Sequence, residues 1–273
     1  MTIKSALDFA VAQLHDSCEK PRFEAELLLA YHLDKERLYL HIHENDRVDD
    51  IEKFKALVAR RASHEPYEYI TGLASFYDIE LAVEQGVLIP RPETELLIER
   101  VAQIVESEGI TKIVEIGVGS GAISIVLARM FPQLQIVATD ISDDALRIAD
   151  LNIKRFGLEG QIKLLKSNLM DAVSSKPQLV VSNPPYIADD FHLEKNVSEY
   201  EPHTALFGGE VGDELLQTII RDVQAREIPW LACEMGYDQK ASMQNCFDEM
   251  RVSSSEFYQD LAGFDRGFCV RFC

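Results

Sequence analysis

Val180-Val181-Ser182-Asn183-Pro184-Pro185-Tyr186-Ile187 is a short apolar run that stops at a polar amide, two prolines and a ring. Leu179 to Val181 are β-formers, and a residue before proline is pushed toward extended backbone, which puts Asn183 just past the carboxyl end of a strand. Open α/β sheets bind ligands at that end. Pro184 and Pro185 have a fixed φ and no N–H, so the loop presents carbonyl acceptors without competing donors. A planar NH2 group suits such a loop. The Asn183 side-chain oxygen accepts one N–H, the Pro184 carbonyl accepts the other, and Tyr186 packs flat against the amide or base. Pro-Pro alone also marks an ordinary turn, so the flanking sequence has to decide.

Upstream, Lys112-Ile113-Val114-Glu115-Ile116 reads as an apolar strand, and Gly117-Val118-Gly119-Ser120-Gly121 turns it into a helix from Ala122 to Met130. This is a nucleotide-type first βα turn, spaced G-x-G-x-G and not G-x-G-x-x-G, so a pyrophosphate need not be its guest. Gln135 to Asp140 forms the next strand and ends in a carboxylate placed to bond both ribose hydroxyls of an adenosine. Ser142 or Asp143 caps a helix that runs to about Phe156 and stops at Gly157. Gln161 to Lys166 makes a third strand, followed by Asn168, which either bonds an adenine edge or forms an Asx turn. Beyond the Asn-Pro-Pro-Tyr loop, Tyr200 to Gly209 shows neither helical nor strand period. A helix from about Asp213, a strand Trp230–Glu234, a helix from Gln239 and a terminal β-hairpin then continue the α/β alternation.

Residues 3 to 61 carry helical periodicity and predict a bundle of about four helices, serving as a structural cap or as a substrate-docking module. Tyr67, Tyr69, Ile70 and Thr71 have the texture of a strand, and Ile79–Val83 with Val87–Ile89 around Glu84-Gln85-Gly86 reads as a hairpin joining two domains. The expected division is therefore a helical domain at 1–72, a β-hairpin linker at 73–90 and a sheet domain at 91–273. Pro90 and Pro92 hold the chain extended until Glu93 and Glu95 open a helix, acids favourably placed against its dipole.

A hydrophobic content of 47% is ample for a buried core, and 46 acidic against 27 basic residues give a formal charge of -19, which opposes binding to a polyanion. Direct nucleic-acid binding is not expected. Five scattered cysteines, with no Cys-x-x-Cys pair, read as reduced thiols, and no metal site is expected, because no acidic or Cys pattern completes one around His41 and His43. With no signal-peptide core and no long apolar run, a soluble cytoplasmic protein without membrane association is expected.

The glycine turn, the acid ending strand two and Asn-Pro-Pro-Tyr ending strand four together resemble class I S-adenosylmethionine-dependent methyltransferases. In that family the glycine turn holds the methionine portion of the cofactor and the acid binds its ribose, with Glu115 supplying the acidic residue of the first strand. Asn-Pro-Pro-Tyr narrows the resemblance to enzymes acting on planar amino nitrogens: adenine N6, cytosine N4 and glutamine N5. Glu65-Pro66-Tyr67-Glu68-Tyr69-Ile70-Thr71-Gly72, Leu88-Ile89-Pro90-Arg91-Pro92-Glu93-Thr94-Glu95, Asn183-Pro184-Pro185-Tyr186-Ile187 and Glu201-Pro202 with Ala205-Leu206 and Gly208-Gly209 further resemble, in order, the signatures of the HemK/PrmC family. Its members are protein-glutamine methyltransferases of class I peptide chain release factors.

The resemblance implies a Rossmann-like methyltransferase sheet behind an N-terminal helical domain. It also implies S-adenosyl-L-methionine as cofactor, S-adenosyl-L-homocysteine as product, and the glutamine of a Gly-Gly-Gln loop as target. The implied cofactor contacts are Glu115, Gly117, Val118, Gly119, Ser120, Gly121, Asp140, Asn168 and Asn183. Asn183, Pro184, Pro185 and Tyr186 would bind the substrate, with Asn183, Pro184 and Tyr186 catalytic. Glu115 and Val118 stand where similar proteins often show Asp and Thr, and Asn168 where an aromatic can occur. The competing readings are a ribosomal-protein glutamine methyltransferase, an adenine-N6 nucleic-acid methyltransferase and a non-enzymatic binding module on the same fold.

Overall fold

The computed structural model describes residues 1–273, which divide into two compact units, Met1–Gly72 with Leu193–Tyr200, and Leu73–His192 with Glu201–Cys273. In the first unit α1 (Ile3–Leu14) begins with a reciprocal cap, the Thr2 hydroxyl accepting the Ser5 N–H at 3.3 Å and Ser5 Oγ accepting the Thr2 N–H at 2.8 Å. α2 (Pro21–Leu33) opens on a proline, and α3 (Arg37–Ile42), α4 (Ile51–Ala62) and α5 (Tyr67–Thr71) follow. Leu7, Leu14, Leu28, Leu29, Leu40 and Phe54 form their common core. Glu26 is buried among them because Arg22 Nε and Arg37 Nη2 donate to its two oxygens at 2.8 and 2.7 Å, pairing the charge that burial would otherwise penalise.

Residues 67–71 are helical, not the strand that their aromatic and β-branched content suggests. Pro66 caps this single turn, the Thr71 hydroxyl bonds back to the Tyr67 carbonyl at 3.1 Å, and Gly72 (φ 76°) ends it in the left-handed region. Burying Ile70 in the helical core overrides local propensity.

The hairpin exists one strand earlier than expected. β1 (Leu73–Phe76) pairs antiparallel with β2 (Ile79–Ala82) around Tyr77-Asp78, and Val87–Ile89 forms no strand. Tyr77 adopts φ 55° without being glycine, and its N–H is held by Glu95 Oε1 at 2.9 Å. Only that tertiary bond marks the turn, which is why local sequence favours Glu84-Gln85-Gly86 instead.

The chain continues through α6 (Thr94–Glu108), β3 (Lys112–Ile116), α7 (Ala122–Met130), β4 (Gln135–Asp140), α8 (Asp143–Arg155), β5 (Ile162–Lys166), β6 (Leu179–Ser182) and β7 (Ile187–Ala188). Ser142 is the cap of α8, its hydroxyl accepting the Ala145 N–H at 3.2 Å. After the short α9 (Lys195–Ser198) and a 3-10 turn at His203–Ala205 come β8 (Phe207–Gly209), α10 (Glu214–Ala225), β9 (Trp230–Glu234), α11 (Lys240–Asp248), β10 (Val252–Gln259) and β11 (Asp265–Phe272). The stretch 200–209, expected to be irregular, thus contains a helical turn and a strand that pairs parallel with β7.

Seven strands form one sheet in the order β10-β11-β9-β6-β3-β4-β5, parallel except where β11 runs against β9 and β10. Leu179 and Val181 face the core made with α6, α7 and α8, while Val180 faces the one made with α10 and α11. Covering both faces explains why the parallel strands read as unbroken apolar runs. The Rossmann-like architecture matches the expectation, and its strand order reverses beside β3, between β4 and β6. No helix is long and apolar enough to cross a membrane.

Candidate active site

The ends of β3, β4 and β6 open onto a cavity of about 380 Å³ whose lining includes Gly117, Gly119, Asp140, Ser142, Asn168, Asn183, Pro184 and Pro185. A smaller space of about 50 Å³ beside it is lined by Arg91, Thr94, Glu115, Val118, Ser120 and Ala122, and shares Leu88, Gly117, Gly119 and Asn183 with the first. Asn183 therefore stands where the two meet. The larger space has the size usual for a small-molecule site.

Gly117, Gly119 and Gly121 take φ of 77°, 53° and 88°, a region side chains rarely adopt. Around Gly119 an added Cβ would meet nothing within 4 Å, so the missing side chain leaves room at the cavity wall. Gly121 caps α7 and directs that helix N-terminus at the turn. Ser120 is buried and serves through its carbonyl, which accepts Asn152 Nδ2 at 2.9 Å; the same amide group of Asn152 bonds the backbone of Ala82 on β2 at 3.0 and 2.8 Å. Asn152 thus ties the glycine turn to the hairpin, with both its N–H donors and its oxygen engaged within the protein.

Asp140 accepts the Gly119 N–H through Oδ2 at 3.0 Å and the Ser142 N–H through Oδ1 at 2.9 Å. Each oxygen retains acceptor capacity toward the cavity, which suits a vicinal diol. Glu115 is fully buried, with Oε2 accepting the Ser124 N–H at 3.1 Å and the Ser124 hydroxyl. Burial pushes its carboxyl up to about 8, against the pull of the Ser124 bonds, and the nearby Asp140 charge adds to the rise. Val118 is buried at the wall of the smaller space. Asn168 is an exposed wall residue of the larger cavity, and its carbonyl accepts the Asp171 N–H at 3.1 Å.

The Asn183 amide donates through Nδ2 to Thr94 Oγ1 at 3.0 Å, and its Oδ1 takes no hydrogen bond from the protein. Thr94 donates to Glu234 Oε2 at 2.7 Å, and the Tyr186 hydroxyl donates to Glu234 Oε1 at 3.0 Å. Tyr186 does not line either space; its ring packs on the core beneath α10 and α11, and its carbonyl accepts Gln239 Nε2 at 2.8 Å. The hydroxyl bond to Glu234 and the packing of the ring anchor Tyr186 at the end of the Asn-Pro-Pro-Tyr loop. Thr94, Glu234 and Gln239 were not singled out from the sequence. Glu234 carried a usable signal, an acid ending an apolar strand, the same pattern that drew attention to Asp140.

Two further contacts press the loops onto Asn183-Pro184-Pro185-Tyr186. β8 lies so close that a Cβ on Gly208 would stand 2.5 Å from the Pro185 carbonyl oxygen, and one on Gly212 would stand 2.6 Å from that of Tyr186. Glu201, also buried, accepts Arg91 Nη2 at 2.5 Å and the Ile89 N–H at 3.2 Å, joining the segment before α6 to the one before β8.

The fold resembles that of the N-terminal domain of human METTL16 in complex with SAH (TM-score 0.54, 19% identity, 90% of this chain and 94% of that one). It also resembles the hMettl16 catalytic domain in complex with the MAT2A 3'UTR hairpin 6 (TM-score 0.60, 16% identity, 81% of each chain). Residues 5–72 match the PrmC N-terminal domain, and residues 92–200 match the methyltransferase small domain. Fold and site together define an S-adenosylmethionine-dependent methyltransferase. Curated relatives named release factor glutamine methyltransferase include one from Dictyoglomus turgidum, 41% identical over 91% of this chain and 90% of its own length. Others come from Koribacter versatilis (38%, 87% of each) and Salmonella typhimurium (34%, 100% of this chain and 99% of its own). The chain belongs to the family of release factor glutamine methyltransferases.

Proposed function

We propose that this enzyme methylates N5 of the glutamine in the Gly-Gly-Gln loop of class I peptide chain release factors, releasing S-adenosyl-L-homocysteine. The observation that carries this reading is Asn183, held by its own N–H on Thr94 with its oxygen left over and followed by Pro184 and Pro185, which add carbonyl acceptors and no N–H donors. Two acceptors in this arrangement match the two N–H groups of a primary carboxamide.

The residues fit the cofactor: Asp140 offers acceptors for the ribose diol, Gly117 to Gly121 an open backbone cradle, Glu115 a polar group at the wall of the smaller space, and Asn168 a polar edge for adenine. When bound, the cofactor supplies a methyl group already activated by its sulfonium. The amide nitrogen is a poor nucleophile because its lone pair is delocalised. Acceptors at both N–H groups raise its electron density and turn the lone pair toward the methyl, so the protein's contribution is orientation and electrostatics. Glu234 is no general base: both its oxygens accept internal hydrogen bonds and it lines neither space. The proton leaves after the nitrogen has become cationic.

The charge of -19 supports a protein in preference to a nucleic-acid substrate, and release factors as substrate support a cytoplasmic location. To residues 1–72 we assign docking of the protein substrate, supported by the match of residues 5–72 to the PrmC N-terminal domain, and to 91–273 the transfer itself. Labelled methyl from S-adenosylmethionine should enter intact release factor and not a release factor whose Gly-Gly-Gln glutamine is alanine. Equal labelling of both, or labelling of bare nucleic acid alone, would overturn the assignment.

A further inference from the structure

Glu234 is a buried carboxylate without a cation bonded to it. Its two oxygens are occupied by hydroxyl groups, Thr94 on one side and Tyr186 on the other, although a carboxylate so placed is costly unless something requires its charge. Arg266, whose charge acts on Glu234, is bonded instead to Asp260 at 2.7 Å. What an ionised carboxylate does that a neutral residue cannot is accept at both oxygens and donate at neither.

That property propagates. Thr94 has one hydroxyl hydrogen, and giving it to Glu234 leaves only lone pairs facing Asn183. The Asn183 amide must then meet Thr94 with its NH2, which turns Oδ1 the other way. We infer that Thr94 and Glu234 are positioning residues that set the polarity of Asn183, so that the amide shows its oxygen and not its NH2 to the substrate. The inference rests on the reading of Asn183 as the carboxamide clamp, and it names what makes that clamp selective for a group with two N–H donors.

Reversing the chain reverses the clamp. A Glu234 protonated on Oε2, the oxygen facing Thr94, donates to Thr94, Thr94 donates to Asn183, and the amide turns its oxygen inward, opposing NH2 to the NH2 of the substrate. Burial pushes Glu234 up to about 7, against the Thr94 and Tyr186 bonds that favour the ionised form; Glu93 at the start of α6 raises it further, Arg266 on β11 lowers it, and Tyr258 on β10 faces it as a neutral phenol. The switch therefore falls within the range where the enzyme can be assayed.

The test compares wild type, Asn183→Ala, Glu234→Gln, Thr94→Val and Thr94→Ser by kcat and KM for release factor and by Kd for S-adenosylmethionine, with thermal melting to establish folding. Glu234→Gln and Thr94→Val should lose about tenfold to a hundredfold in kcat, the cost of one misdirected hydrogen bond, with Kd for the cofactor held within about twofold. Thr94→Ser, which keeps the hydrogen, should return most of the turnover. Wild-type kcat should rise with pH through a limb that the residual turnover of Glu234→Gln lacks. This last measurement needs only wild type to fail: a flat wild-type profile across that range overturns the polarity switch. Normal turnover in folded Glu234→Gln and Thr94→Val beside an inactive Asn183→Ala would discard the relay and keep the clamp. Normal turnover in Asn183→Ala would discard both.

Discussion

The buried carboxylate of Glu201 holds the Arg91 guanidinium at 2.5 Å and the Ile89 N–H at 3.2 Å, so one side chain fixes the chain on both sides of Pro90 against the segment leading into β8. Removing a partner of a buried ion pair usually costs about 3–5 kcal/mol, and here less because Arg91 keeps 33% of its side-chain surface in water. Glu201→Ala should lower stability by about 2 kcal/mol, read as a shifted denaturation midpoint at constant m-value. A midpoint equal to wild type would show that the pair holds nothing.

Asp140 is engaged twice by backbone N–H groups and once more, on our reading, by the cofactor ribose. Asp140→Ala should weaken S-adenosylmethionine binding by about 1.5–3 kcal/mol, roughly tenfold to a hundredfold in Kd, through the lost charged hydrogen bonds. Calorimetric titration measures this directly. Unaltered affinity would take Asp140 out of the site.

Gly208 has an ordinary φ, so its lack of a side chain answers to space alone: a Cβ would press on the Pro185 carbonyl oxygen at 2.5 Å and also on that of Gly212. Gly208→Ala should destabilise the protein by about 1–3 kcal/mol, as overpacking does elsewhere. Because the displaced loop carries Asn183, turnover should fall by more than cofactor affinity. Equal losses in both would place the damage elsewhere than at the clamp.

Glu115 titrates from about 8 in the folded protein against an ordinary value of 4.5. A raised acid binds its proton more tightly when folded, so the stability it contributes is complete below about 4.5 and is lost as pH rises through about 8. In cofactor-free protein, stability should therefore decline over that window, and Glu115→Gln should flatten the upper part while leaving the earlier limb of Glu234, which lies near 7. Denaturant titrations at stepped pH check this; parallel curves for the two proteins would mean that Glu115 is ionised throughout.

Read locally, the chain announces what depends on neighbours in sequence. The parallel strands are legible because burial on both faces leaves continuous apolar runs, and Asp140 and Asn183 stand out because polar groups ending such runs fall at the ligand-binding edge of a sheet. The glycine turn is visible for a similar reason, three positive φ angles within five residues being nearly a glycine monopoly. Tyr67–Thr71 misled because its helix is held by a core that the segment itself does not contain, and the hairpin turn at Tyr77-Asp78 because a bond from Glu95 stabilises it in place of a glycine.

The orientation of Asn183 was decided by tertiary structure alone. Its partner Thr94 lies 89 residues away, and Thr94 meets Glu234 across 140 more. Neither residue has a local pattern that reveals the other, and Tyr186 becomes an anchor only because β9 delivers a carboxylate beneath it. Sequence by itself determined the sheet and put Asn183 just past the end of β6, at the edge where the cavity opens. Which atom of that residue faces outward depends on where a few hydroxyl hydrogens go, and those are assigned only when α6, β6 and β9 have packed together.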